Sequence, residues 1–220
     1  MPQTPVLVLT RTTDYRHAAI PRAVAALREL AADEGHFAEA TEDPADLEQD
    51  LSGYACVVFL LTSGDVLTAP GRRALAAYVE RGGGFLGVHS AACTETSWPR
   101  FGELLGARFT RHPAYQPGCV LVADRDHPAT RHLPPVWSFT DEWYDFDTRP
   151  AGARVLARAD ESSYDTEGGG MGEDHPLVWC REQGAGRVFY TALGHAEEAY
   201  ADPEFRAHLR GGLRWAARRG

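Results

Sequence analysis

Residues 78–91, with the sequence YVERGGGFLGVHSA, decide the fold of this chain. The first part closes an amphipathic segment whose apolar residues recur on one face at helical spacing. Three glycines then end the helix, and residues 85–88 form a short apolar run that is typical of a buried strand. The stretch therefore predicts a helix that turns sharply into a central strand, with His89 directly after it.

The same alternation of apolar runs and amphipathic segments continues in both directions from this stretch. Further strands are predicted at residues 6–9, 37–40, 56–61, 120–122, 155–157, 177–180 and 187–190, the last two as a hairpin around glycines. A helix is predicted after residue 19, with Ile20, Val24, Leu27 and Leu30 on one face. Two more helices are predicted, one after the cap Thr68 and one after the N-cap Asp202. This order predicts one α/β domain over residues 1–220, with a mostly parallel central sheet covered by helices.

Composition narrows the class of function. The net charge is −9, which argues against binding to nucleic acid. All 22 basic residues are arginine, which excludes chemistry that needs a lysine side chain. No apolar run is long enough to cross a bilayer, no secretory signal is visible, and the four cysteines lack paired spacing. We expect a cytoplasmic protein that contacts neither nucleic acid nor membrane. The sequence is compatible with a homo-oligomer and leaves the oligomeric state open.

Histidines follow three of the predicted strands, at His17, His89 and His195. Ligands of open parallel sheets bind outside the carboxyl ends of the strands, so these side chains are expected at one edge. Imidazole titrates near neutral pH and binds metals, which favours proton transfer or metal binding. No HxxxH or HxH spacing identifies metal ligands, so these are unknown, and a divalent metal such as zinc stays open.

Two further patterns point to the same chemistry. Residues 87–91 have the form of a nucleophile elbow with His89 at its apex, and a Ser90 nucleophile is the alternative interpretation. Asp141 and Glu142 precede Trp143 and Tyr144, and an acid beside aromatic rings is typical of a carboxylate with a shifted pKa. The aromatic residues are equally compatible with a core and with faces on which sugar rings stack.

Motifs in one order over nearly the whole chain resemble the trehalose-utilization (ThuA-like) family. They are residues 15–17, 78–91, 127–130, 141–144, 175–179 and 186–195. The family is similar in fold to class I glutamine amidotransferases, so the resemblance implies a flavodoxin-like three-layer sandwich. Those enzymes carry a cysteine at the elbow and a late His-x-Glu pair, which His195 and Glu197 match. Because His89 replaces the cysteine, and Cys93 lies four residues beyond it, we do not expect a glutaminase.

The resemblance implies a role in sugar metabolism, around trehalose, related disaccharides or their 3-keto derivatives. Our preferred hypothesis is an enzyme, a hydrolase, lyase or isomerase, in which His89 is the base, Glu142 the acid and His195 the oxyanion or metal partner. The residues expected to contact the sugar are His17, Ser90, His112, Tyr144, His175 and Trp179. The alternatives are a non-catalytic sugar-binding or regulatory module and a metal-dependent hydrolase or isomerase of unmodified sugars.

Overall fold

Eleven strands and four helices form the regular structure of residues 3–217, which are the residues that the computed structural model describes. The strands are β1 (Thr4–Leu9), β2 (His36–Thr41), β3 (Cys56–Leu60), β4 (Gly84–Val88), β5 (Phe109–Arg111), β6 (Gln116–Val122), β7 (Val136–Asp141), β8 (Asp145–Phe146), β9 (Arg154–Asp160), β10 (Pro176–Gln183) and β11 (Gly186–Thr191). The helices are α1 (Ile20–Asp33), α2 (Ala69–Glu80), α3 (Pro99–Leu105) and α4 (Pro203–Ala216).

Nine of these strands form one mixed sheet, in the order β2-β1-β3-β4-β11-β10-β9-β6-β7. Pairings from β2 to β11 are parallel, and pairings from β11 to β7 are antiparallel. The prediction of a mostly parallel, flavodoxin-like sheet is therefore correct for one half only. No α-helix lies between β6 and β11 in sequence, and without a crossover helix neighbouring strands run antiparallel.

Helices cover both faces of the parallel half. The β1-α1-β2 and β3-α2-β4 connections step in opposite directions along the sheet, so right-handed crossovers put α1 and α2 on opposite faces. A Cβ at Gly84 of β4 would collide with the backbone of Ala216 in α4, whereas one at Gly87 would meet Leu105 of α3. Three layers result in this half. Within residues 3–217, no helix combines the length and apolarity that crossing a bilayer requires.

The predicted starts of two helices are confirmed by their caps. The Thr68 hydroxyl accepts a hydrogen bond from the Gly71 N–H at 3.2 Å, and the Asp202 carboxylate accepts one from the Phe205 N–H at 2.7 Å. The predicted hairpin between β10 and β11 is also confirmed, with Gly184 in its turn at φ 59°. Local signals thus fix where the elements begin, and the sheet order decides which loops meet.

The four cysteines are free, as their spacing predicts. Burial raises the pKa of the Cys93 thiol to about 12, so this side chain is a thiol at neutral pH. Because a thiolate is the nucleophilic form, Cys93 does not replace the cysteine that amidotransferases carry at the elbow.

Candidate functional site

Three histidines and one carboxylate converge at the carboxyl edge of the parallel strands. His17 follows β1, His89 follows β4, His195 follows β11 and Glu142 follows β7. One nitrogen or oxygen atom from each side chain lies within 4.8 Å of those of the other three. The three predicted catalytic residues and the predicted sugar contact His17 are therefore brought together. We call these four residues the His–Glu cluster.

His89 occupies the apex of the elbow, and both of its ring nitrogens have partners. Its backbone is left-handed, with φ 52°, and its side chain has no exposed surface. Nδ1 donates to the carbonyl oxygen of Ala192 at 2.6 Å, because a carbonyl can only accept. Nε2 lies 2.8 Å from the Tyr144 hydroxyl oxygen and 3.4 Å from Oε2 of Glu142. His89 is thus a fixed group inside the cluster, without free access to a substrate.

Glu142 is the centre of the cluster. Its Oε2 atom lies 3.1 Å from Nδ1 of His195 and 3.4 Å from Nε2 of His89. Burial alone would raise the pKa of Glu142, but the approach of His195 and His89 outweighs it and holds that pKa well below its usual range. Burial alone would lower the pKa of His195. The nearby carboxylates, Glu142 above all, have the larger combined effect and raise that pKa above 6.5. The contact between the two side chains therefore favours the ionised form of Glu142 and the protonated form of His195.

His17 and Ser90 form the buried side of the site. The Ser90 hydroxyl lies 3.4 Å from Nδ1 of His17, which is long for a hydrogen bond. Burial, together with His89 and His195, lowers the pKa of His17 to about 3, so its imidazole is neutral at physiological pH. Because Ser90 is only 2% exposed, its hydroxyl has no open path to a substrate. The alternative of a Ser90 nucleophile gains no support from this geometry.

Two of the remaining predicted sugar contacts lie next to the cluster. His112 is partly exposed at the mouth, with Nε2 3.6 Å from Oε2 of Glu142. Its Nδ1 contacts the Pro113 carbonyl at 2.7 Å, which orients the ring. Tyr144 lies beneath the cluster, where its hydroxyl contacts His89.

His175 and Trp179 lie behind the site. His175 is fully buried, with Nε2 2.8 Å from the Tyr144 carbonyl and Nδ1 2.7 Å from Glu161. Trp179 has no exposed surface, and its indole N–H donates to the Leu105 carbonyl at 2.7 Å. Neither side chain reaches the His–Glu cluster in this structure, so His175 supports Tyr144 and Trp179 belongs to the core.

Asp141 is a site residue that the sequence marked only together with Glu142, without a role of its own. Its buried carboxylate accepts hydrogen bonds from the N–H groups of Glu142 at 2.8 Å, Gly194 at 2.7 Å and His195 at 3.3 Å. Burial raises its pKa despite these partners. Asp141 thereby ties the end of β7 to the loop after β11, which holds Glu142 against His195. The only sequence signal was its place beside Glu142.

Tyr115 is the second residue that sequence reasoning missed. Its ring is 45% exposed and its centroid lies 5.5 Å from that of His195. It sits in the loop between β5 and β6, where no periodic pattern marks a functional position.

The His–Glu cluster also has the composition of a site for a divalent cation. Three imidazoles and a carboxylate are ligands that zinc accepts, and tetrahedral bonds of 2.0–2.1 Å place such donors about 3.4 Å apart. The distances from Glu142 to His89 and His195 match that spacing. Within residues 3–217, Nδ1 of His195 is buried, and its 3.1 Å contact with Oε2 of Glu142 lacks the angles of a hydrogen bond. A nitrogen and an oxygen that face each other in this way fit two ligands of one ion.

The comparisons with known proteins agree with this fold. A family model described as ThuA, trehalose utilisation, matches residues 5–216. A ThuA-like protein from Parabacteroides merdae ATCC 43184 has a TM-score of 0.80 at 24% identity, over 98% of this chain and 90% of that chain. A ThuA-like protein from Bacteroides uniformis ATCC 8492 has a TM-score of 0.80 at 26% identity, over 98% and 91%.

An amidotransferase-type protein is similar in fold alone. This protein, described as a GMP synthase subunit from Thermoplasma acidophilum, has a TM-score of 0.56 at 15% identity, over 96% of this chain and 92% of that chain. The likeness supports an amidotransferase-like arrangement of the elements and carries no activity with it. No curated protein sequence matches the chain.

Proposed function

The chain belongs to the ThuA family of trehalose utilisation, and from this premise we propose that it is a carbohydrate-active enzyme. The proposal is that the His–Glu cluster performs acid–base chemistry on a disaccharide, a glycoside or its 3-keto derivative. The observation that carries it is the contact of Glu142 Oε2 with His195 Nδ1 at 3.1 Å, which lowers the pKa of Glu142 and raises that of His195, at the sheet edge where ligands bind. These two are also the cluster members with partly exposed side chains, 13% and 22%.

A 3-keto sugar is the substrate on which this pair of groups can act most directly. The carbonyl at C3 acidifies the hydrogen on C2, and the Glu142 carboxylate removes that proton. The bond from C1 to the glycosidic oxygen then breaks, its electron pair leaves with the oxygen, and His195 supplies the proton. Addition of water across the new C1–C2 double bond completes a hydrolysis, and without it the reaction ends as an elimination.

This mechanism exchanges two of the roles expected from the sequence. His89 was expected to be the base, but it is buried and both of its ring nitrogens have partners inside the protein. Glu142 was expected to be the acid, but its lowered pKa leaves it ionised, without a proton to donate. Proton transfer is therefore assigned to Glu142 and His195, with His89 as the fixed group behind them.

The ligand set favours a second version of the same function, in which the cluster binds a divalent cation. His17, His89, His195 and Glu142 would hold the ion. When bound there, it would stabilise negative charge on a sugar oxygen, which is the charge that a keto-sugar substrate develops.

Turnover of 3-keto-trehalose tests the proposal. Purified protein is incubated with this sugar as prepared, after chelator treatment, and after addition of zinc, and its consumption is followed by NMR. We expect consumption in at least one condition, and a chelator-sensitive rate if the cluster works with a cation. Binding without consumption in all three conditions would instead favour the non-catalytic module.

A further inference from the structure

Two exposed tyrosines lie at the His–Glu cluster, each against a different histidine. Tyr15 is 62% exposed and its ring centroid lies 4.7 Å from that of His17. Tyr115 is 45% exposed and its ring centroid lies 5.5 Å from that of His195. Only four large hydrophobic side chains are exposed within residues 3–217, so the presence of two of them against members of one cluster concentrates aromatic surface at this site.

Each tyrosine borders a surface cleft. Tyr15 lines a cleft of about 270 Å³, together with the cluster members His17 and His195. Tyr115 lines a cleft of about 500 Å³, together with Ser138, Thr140 and Ser163. The exposed side chain of Glu198 lines both clefts, so the two are neighbours along the protein surface.

The charges of the two clefts favour a neutral ligand. Their titratable lining consists of His17, His195 and the carboxylates Glu197, Glu198 and Asp202. No arginine of the described part of the chain lines either cleft, and the sequence has no lysine. Phosphate and carboxylate groups of a ligand would be repelled, whereas sugar hydroxyls would donate to these carboxylates.

We propose that Tyr15 and Tyr115 are two sugar-binding platforms, so that the site selects an unphosphorylated disaccharide over a monosaccharide or a sugar phosphate. The C–H faces of a sugar ring pack on an aromatic face, and the tyrosine hydroxyl remains available for hydrogen bonding. Two rings joined by one glycosidic bond then occupy the two neighbouring clefts, which share Glu198. The inference rests on the proposed function in one respect, which is that the glycosidic bond lies at the His–Glu cluster. Sugar binding to the two tyrosines does not depend on catalysis.

Calorimetric titration of ligands into Tyr15→Ala and Tyr115→Ala tests this inference. The probes are trehalose, maltose, sucrose, glucose and the 6-phosphate of the disaccharide that binds best. Each substitution is expected to raise the Kd of that disaccharide about tenfold, and the 6-phosphate is expected to bind the unchanged protein about tenfold more weakly. Phe37→Ala is the matched control, because Phe37 is a 39% exposed aromatic residue on the distant edge strand β2.

The inference is overturned if none of the three disaccharides binds, if both tyrosine variants bind like the Phe37 variant, or if the 6-phosphate binds more tightly. Its failure can be told apart from failure of the proposed function. Weaker disaccharide binding in the tyrosine variants, with no turnover of 3-keto-trehalose by any protein, supports the platforms and contradicts the enzyme. Turnover of 3-keto-trehalose at an unchanged rate in both tyrosine variants supports the enzyme and contradicts the platforms.

Discussion

His195 and Glu142 shift each other's pKa in opposite directions, and this coupling decides the pH range of the chemistry. Glu142 remains ionised throughout the neutral range, because its pKa is held low. His195 remains protonated up to a pKa that lies above its ordinary value of 6.5. A rate that needs the imidazolium therefore falls as pH rises through the pKa of His195, and it does so at higher pH than for an ordinary imidazole.

Substitution of His195 tests this dependence. His195→Gln is expected to lower kcat about 10²- to 10⁴-fold at neutral pH, because the general acid is lost. The alkaline fall in rate is expected to disappear with it. His132→Gln is the matched control. His132 is exposed, and its Nε2 atom lies 3.0 Å from the Glu204 carbonyl oxygen. A variant that kept the alkaline fall would show that another group titrates.

Helix α4 packs so closely on the sheet that two of its positions admit only glycine. At Gly212, an added Cβ would lie 2.7–2.9 Å from ring atoms of Phe189 on β11. At Gly211 it would lie 2.2 Å from the carbonyl oxygen of Pro128. Since β11 leads directly into His195, the seating of α4 helps to set the position of the site.

Gly212→Ala is expected to destabilise the fold by about 1–3 kcal/mol, because overpacking against Phe189 outweighs the better helix propensity of alanine, about 1 kcal/mol. The free energy of unfolding in urea measures the effect. Gly53→Ala is the matched control, since an added Cβ there meets no atom within 4 Å, and a change within about 0.5 kcal/mol is expected. Equal or higher stability of the Gly212 variant would contradict the close packing.

The elements of the parallel half were predictable because each carries a complete local signal. The runs of β1, β3 and β4 are buried on both faces, and Thr68 and Asp202 cap the helices that follow. The prediction for α1 was wrong at one residue. Val24 was expected on the buried face but is only partly buried, whereas Ala23 and Ala26 face the core. Small residues approach the sheet closely, which hydrophobicity alone does not reveal.

The middle of the chain resisted prediction, since its elements are short or lie at an edge. The sequence did not reveal β5, which has three residues, or α3, which has seven. The edge strand β7 alternates buried and exposed positions, with polar residues among the exposed ones. Such strands carry only half of the apolar signal of a central strand.

The same physics explains which site residues were predictable. The histidines His17, His89 and His195 follow strong strands, so their convergence could be expected. Asp141 and Tyr115 reach the site through the order of the antiparallel strands, which no local pattern encodes. Trp179 was expected to contact a sugar, but an aromatic residue in a strand has the same sequence signature whichever way it faces.

At the scale of the whole molecule, the site is shared between the two halves of the sheet. The parallel half contributes the three histidines, and the segments of the antiparallel half contribute Glu142 and the hydroxyl of Tyr144. Asp141 joins the halves by hydrogen bonds to the loop of His195. An amidotransferase-like parallel half with histidine at its elbow thus gains its carboxylate from the antiparallel half.

The measurement that tests the central claim most directly is hydrogen exchange at C2 of 3-keto-trehalose in D₂O, followed by NMR. If Glu142 removes the C2 proton, deuterium appears at C2 of the recovered substrate or of the 3-keto product. The rate is expected to fall at least about 100-fold in Glu142→Gln and to be unchanged in Glu182→Gln, an exposed acid on β10. Absence of deuterium at C2, or equal incorporation by the Glu142 variant, would contradict the account.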